Sequence, residues 1–180
     1  IAGIYPLLPN ETCWFLAIDF DDEGWRQDIT TLREVCSLFE IPVAIERSRS
    51  GNGAHAWFFF EYSVAAFLAR KFGSALLTHA MNKRHEITFK SYDRFFPNQD
   101  TMPKGGFGNL IALPLQKTAR EKNNSIFINE HFQPIEDQWA FLASIQRLSE
   151  KNLKELIAEL CTGSDLGTLK TDGEEVPNPW

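Results

Sequence analysis

Asp19 and Asp21 are separated by one residue at the end of the apolar run Thr12 to Phe20 (TCWFLAIDF). Near-continuous apolar sequence of this length, rich in aromatic and branched residues, reads as a strand buried on both faces. In a strand, residues i and i+2 point to the same side, so the two carboxylates share a face while Phe20 turns into the packing. Two acids side by side repel, and a hard divalent cation is the usual remedy. The alternative is a strand end running into a solvated turn with Asp22 and Glu23.

A second constellation lies between Arg47 and Trp57 (RSRSGNGAHAW). Gly51 and Gly53 permit a tight turn whose backbone N–H groups can face an anion. Arg47, Arg49, Ser50 and Asn52 add donors, and the imidazole of His55 can hydrogen-bond a triphosphate oxygen. Read as structure alone, the same residues make a hairpin with a histidine near its turn. A third segment, Asp93 to Asp100 (DRFFPNQD) followed by Lys104 to Pro114 (KGGFGNLIALP), supplies two further acids. Either Asp93 or Asp100 would complete a three-carboxylate site for two metal ions about 3.5–4 Å apart; as turn formers they need no such role. Gly105, Gly106 and Gly108 do not follow a strand and open a helix, so a dinucleotide-binding reading fails.

The elements that must position these groups are legible from periodicity. Trp25, Ile29, Leu32, Cys36 and Phe39 are spaced for an amphipathic helix ending before Pro42. Val43–Arg47 and Ala54–Phe60 flank the Ser48–Gly53 turn as a hairpin. Ser63 is the expected N-cap of a helix to about Ala80. Strands are expected over Ile87–Tyr92 and Asn109–Leu115, joined by a long loop. Helices are expected over Gln138–Leu148 and Asn152–Leu160, with Trp139, Leu142, Ile145 and Leu148 as an inward stripe. Residues 162–180 read as a flexible polar tail or interdomain linker after a catalytic core over 1–161. Two basic runs (His79, Lys83, Arg84, His85; Lys117, Arg120, Lys122) offer contacts to nucleic acid or simple solvated surface. Phe95, Phe96 and Phe107, in the polar loop, are candidates for base stacking.

Composition narrows the function classes. A net charge of −6 argues against a protein that coats nucleic acid nonspecifically, although local basic clusters can still hold a strand. No apolar run approaches the roughly 20 residues that span a bilayer, so no membrane partner is expected. Three scattered cysteines form neither a disulfide framework nor a zinc knuckle, which points to a reducing, intracellular compartment. The chain reads as a piece of a longer polypeptide.

Taken in order, DFD, SGNGAHAW and FPNQDTMPKGGFGNLIALPLQ resemble the archaeo-eukaryotic primase superfamily, most closely the primase domain of TOTE conflict systems. The likeness is strongest from Ala2 to Gln116 and weaker around Asp137-Gln138-Trp139. It implies an α+β fold, a small α/β unit packed with a sheet like an RNA-recognition motif. It also implies a template-dependent nucleotidyltransferase, a DNA primase or polymerase, located in the cytoplasm of a prokaryotic or viral system. Its metal ligands would be Asp19, Asp21 and a later acid. Asp100 is preferred for the third, because its distance from Ile111-Ala112 is similar to that in relatives such as the polymerase domains of bacterial end-joining ligases. Ser50 and His55 would contact the nucleotide phosphates, with Arg47, Arg49 and Asn52 beside them. The implied cofactors are two Mg2+ or Mn2+ ions. The implied partners are a single-stranded DNA template, nucleoside triphosphates, and helicase and nuclease domains on the same polypeptide. Two rivals remain at this point, a two-metal nuclease and a noncatalytic single-strand-binding module.

Overall fold

The computed structural model describes residues 1–21, 23–83 and 89–162. Its elements, in chain order, are β1 (Gly3–Ile4), β2 (Thr12–Asp21), α1 (Trp25–Leu38), β3 (Ala44–Arg47), β4 (Gly53–Ala65), α2 (Ala66–Lys83), β5 (Tyr92–Phe96), β6 (Ile111–Ala112), α3 (Lys117–Arg120), β7 (Ile126–Phe127), α4 (Gln138–Ser144) and α5 (Glu150–Cys161). This is the α+β class that the family resemblance implies. The segment from β2 to β5 is a β-α-β-β-α-β unit, and it forms a sheet in the order β5-β2-β4-β3 with β7 added at the β3 edge. All of its pairings are antiparallel. β1 and β6 form a separate two-stranded ribbon.

Alternation along β2 divides the molecule. Leu16, Ile18 and Phe20 enter the main core beneath α1, α2 and α5, whereas Phe15 and Ala17 enter a smaller cluster on the other face with Trp57, Phe96 and Phe127. A register shift between Cys13 and Phe15 lets Cys13 rejoin the helical side, which regular alternation would forbid. The second face is where Asp19 emerges. On the helical face, α2 approaches so closely that a Cβ at Gly73 would stand 2.8 Å from both Leu16 Cδ2 and Phe95 Cε1. α5 begins with Ser149 and Asn152 in a reciprocal capping box and packs Leu153, Leu156, Ile157 and Leu160 inward.

Several boundaries differ from those expected. α2 starts at Ala66 because β4 continues to Ala65, which still pairs with Thr12; Ser63 is a strand residue and caps nothing. β5 occupies Tyr92–Phe96, later than the expected strand, of which residues 87–88 lie outside the described region. The expected strand at 109–115 shrinks to Ile111–Ala112, and the helix at 138–148 to Gln138–Ser144. No residue of α4 is buried, and Trp139 is 66% exposed, so the inward stripe does not include it. Gln138 has a structural task instead: its amide accepts from Phe127 N–H (2.7 Å) and donates to the carbonyls of Phe127 (2.9 Å) and Ile135 (2.6 Å), sealing the β7 edge. Phe95 and Phe96 are buried in β5 and unavailable for stacking on bases, while Phe107 is exposed against Tyr5. Of the first basic run, Arg84 and His85 lie outside the described residues, as does the tail from 163 to 180.

Candidate active site

Four strands contribute one residue each to a single row across the sheet: Arg94 of β5 pairs with Asp19 of β2, Asp19 with His55 of β4, and His55 with Glu46 of β3. Directly opposed residues share a face. Asp21 stands two residues beyond Asp19 on the same side, opposite Gly53. That glycine is required by the approach of β2, since a Cβ there would collide with the Phe20 carbonyl oxygen and the Asp21 carboxylate.

The third acid is Asp93. Ligand atoms of Asp19, Asp21 and Asp93 all lie within 4.8 Å of one another. Regular alternation would send Asp93 to the helical side with Phe95, away from Asp19. The register instead slips between Asp19↔Arg94 and Phe20↔Tyr92, leaving Asp93 as the extra residue of a bulge, free to turn toward the carboxylates. The start of β5 is fixed from two sides. Ser91 donates its N–H (3.2 Å) and hydroxyl (2.5 Å) to the buried carboxylate of Asp28 on α1, and its carbonyl accepts from Asp21 N–H at 2.7 Å. Arg94 donates to Asp93 at 2.6 Å.

Electrostatically the row is poised for a cation. Asp19 is 9% exposed, and its Oδ1 is buried without a hydrogen bond, meeting His55 Nε2 only as an ion-pair contact at 3.4 Å. Burial, opposed by His55 and reinforced by Asp21 and Asp93, pushes its carboxyl from 3.8 up to about 6. For His55, burial favours the neutral ring, but the Glu46 hydrogen bond and the nearby carboxylates prevail and raise it. Three converging carboxylates, one with an orphaned buried oxygen, form a hard oxygen donor set that fits Mg2+ or Mn2+.

The other expected site residues fare differently. Asp100 does not join the acids: from Phe96, opposite Ala17, the chain runs away from Asp19 toward the start of β2, and Asp100 pairs with Arg70 of α2 at 2.5 Å. Of the two candidate third acids, the structure brings Asp93, not Asp100, to Asp19 and Asp21. Arg47 is not brought to this row either. Adjacent to Glu46 on β3, it points to the opposite face, and its two terminal nitrogens donate to the carbonyls of Asn123 (3.0 Å) and Phe132 (2.6 Å). Arg49 is exposed and lines a cavity of about 430 Å³ with Gln116, Lys117 and Lys122. Ser50 Oγ lies 3.0 Å from Ser48 Oγ and accepts from Asn52 N–H at 3.2 Å, with Asn52 exposed at the tip of the turn. His55 lies on β4 between Asp19 of β2 and Glu46 of β3.

Glu46 is the residue that the sequence reading missed. It is 2% exposed and accepts from His55 Nδ1 (3.0 Å), Trp57 Nε1 (2.9 Å) and Ser125 Oγ (3.2 Å). Hairpin arithmetic could have found it, because closing a strand pair about the Ser48–Gly53 turn sets Glu46 opposite His55.

A family model described as the archaeo-eukaryotic primase domain of TOTE conflict systems matches residues 1–156. The chain belongs to that family. It is thus a domain of a primase-type nucleotidyltransferase family. No curated protein matches the chain. Among the described residues, no helix is long and apolar enough to cross a membrane.

Proposed function

We propose that this primase domain joins nucleoside triphosphates on a single-stranded DNA template, with Asp19, Asp21 and Asp93 as the ligands of two Mg2+ or Mn2+ ions. The observation that carries the reading is the orphaned, buried Asp19 oxygen within a three-carboxylate cluster, one strand away from His55. Bound ions would supply the positive charge that lets a primer 3′-hydroxyl approach an α-phosphate and a pyrophosphate depart. The rest falls to this chain's own side chains. His55, anchored at Nδ1, turns Nε2 toward the acids, where the doubly protonated ring can donate to a phosphate oxygen.

The Ser48–Gly53 turn and the cavity lined by Arg49, Lys117 and Lys122 would take the negative charge of the triphosphate. Gln116, which lines this cavity, donates its N–H to Ser125 Oγ, and Ser125 Oγ in turn donates to Glu46. This basic lining favours nucleotidyl transfer over hydrolysis, since a nuclease using water has no need of a triphosphate cradle. A noncatalytic binding module would have no reason to bury an unpartnered carboxylate oxygen.

The test is incorporation of labelled nucleotides on single-stranded DNA, with and without a primer, in Mg2+ or Mn2+, beside the Asp19→Ala/Asp21→Ala double variant. Metal-dependent products that vanish in the variant support the reading, and primer-free products make the domain a primase in its own right. Absence of both product and nucleotide binding would overturn it.

A further inference from the structure

We propose that Glu46 is a positioning residue for this reaction, a buried carboxylate that fixes the tautomer and orientation of His55 so that Nε2 faces the nucleotide site. The inference rests on the functional reading above only for what His55 touches; the hold of Glu46 on the ring stands on geometry.

A glutamate almost fully removed from water is costly unless its oxygens are matched by donors. Here the matching is complete. Oε2 receives Trp57 Nε1–H at 2.9 Å and His55 Nδ1 at 3.0 Å, and Oε1 receives Ser125 Oγ at 3.2 Å. An indole nitrogen can only donate and a carboxylate can only accept. The nitrogen that shares Oε2 with the indole must therefore be the protonated one. Nδ1–H is thus committed to Glu46, and Nε2 is left on the side of Asp19, 3.4 Å from its Oδ1.

The supports of Glu46 are themselves fixed. Trp57 is fully packed two residues along β4 from His55, and Ser125 is held by the loop that enters β7, where its N–H donates to Ser48 O at 3.4 Å and its carbonyl accepts from Leu115 N–H at 2.6 Å. The arrangement matches the way carboxylates orient histidines that act through the opposite ring nitrogen. It also links the two halves of the proposed site, because Ser125 Oγ accepts from the N–H of Gln116 at the rim of the basic cavity.

Nitrogen-15 spectroscopy of the His55 ring in the full chain, combined with steady-state kinetics, tests this. In the wild type, Nδ1 is expected to carry a proton from neutral to alkaline pH. Glu46→Leu, which keeps the volume and removes the acceptors, is expected to release that preference and to raise the nucleotide KM roughly 10- to 100-fold, the range an orienting partner typically commands. Mg2+ affinity of the acids is expected to remain. Glu46→Gln retains a carbonyl oxygen for Trp57 and His55 and should restore most of the lost affinity.

A wild-type ring whose neutral form is protonated at Nε2 would overturn the proposal, even should Glu46→Leu fail to fold. So would a folded Glu46→Leu protein with unchanged ring signals and unchanged KM. A chain with the expected Nδ1–H but no nucleotide incorporation would refute the functional reading and leave the positioning standing, whereas incorporation without that ring state would refute the positioning alone.

Discussion

Replacing Asp19 by asparagine should make the metal-free protein more stable while removing its response to divalent ions. The carboxyl of Asp19 stands at about 6 in the folded chain against an ordinary 3.8, chiefly through burial. Because the folded value lies above the ordinary one, ionising Asp19 costs folding free energy. The cost is absent below pH 3.8, grows as the pH rises, and is complete above about 6. At about 1.4 kcal/mol per pH unit, it amounts to about 3 kcal/mol. The side chain is only 12% exposed, so solvent screening removes little of this. Asp19→Asn has no charge to desolvate, and at pH 8 in EDTA its melting temperature should exceed the wild type's by about 6–12 °C for a chain of this size. Below pH 4 the two should melt together. Saturating Mn2+, at about one hundred times its dissociation constant, should return about 2.7 kcal/mol to the wild type and almost nothing to the variant. Thermal melts at three pH values, each with EDTA and with Mn2+, provide the assay. A variant no more stable than wild type at pH 8, or one that still gains from Mn2+, would refute the argument that Asp19 is a desolvated carboxylate awaiting a cation.

His55 makes the opposite contribution in a higher pH window: raised above 6.5, it stabilises the fold fully below 6.5 and ceases to do so as the pH passes its folded value. In EDTA, the wild type should lose stability on alkalinisation beyond 6.5 and His55→Gln should not, as read by urea midpoints. Asp28→Ala strands two Ser91 donors and should cost about 1–3 kcal/mol in chemical denaturation. It should also lower nucleotide incorporation roughly 10- to 100-fold, by loosening the strand that carries Asp93. Gly53→Ala must push apart β2 and β4 at Asp21 and should cost about 1–3 kcal/mol, with a weaker Mn2+ response in the same melts.

Much of this site is local, and local patterns are legible. β2 and α1 sit almost where the apolar periodicity places them, and the pairing of Asp19 with Asp21 on one face follows from strand alternation alone. Arg47 was also decidable: as the neighbour of Glu46 in a strand, it must point away from His55, and a count of residues through the hairpin would have shown this and found Glu46 too. Asp93 was not decidable in that way. Its position depends on a bulge in β5, and a bulge inverts the alternation that sequence reasoning relies on. The preference for Asp100 rests on its distance from Ile111-Ala112, which is similar to that in relatives, yet its partner is Arg70, thirty residues earlier on a helix. Such a long-range ion pair leaves no periodic trace. Likewise Ser63 resembles an N-cap, but the pairing of Ala65 with Thr12 extends the strand past it.

The measurement that bears most directly on the acidic row as a catalytic centre is metal-dependent nucleotide incorporation on a primed single-stranded template, compared across wild type, Asp93→Ala and Asp100→Ala. Asp93→Ala should abolish incorporation while retaining the fold. Asp100→Ala should lose about 1–2 kcal/mol of stability through its partly exposed ion pair with Arg70 and still extend the primer. Robust extension by Asp93→Ala, or its loss in a folded Asp100→Ala protein, would contradict the placement of the catalytic centre on Asp19, Asp21 and Asp93.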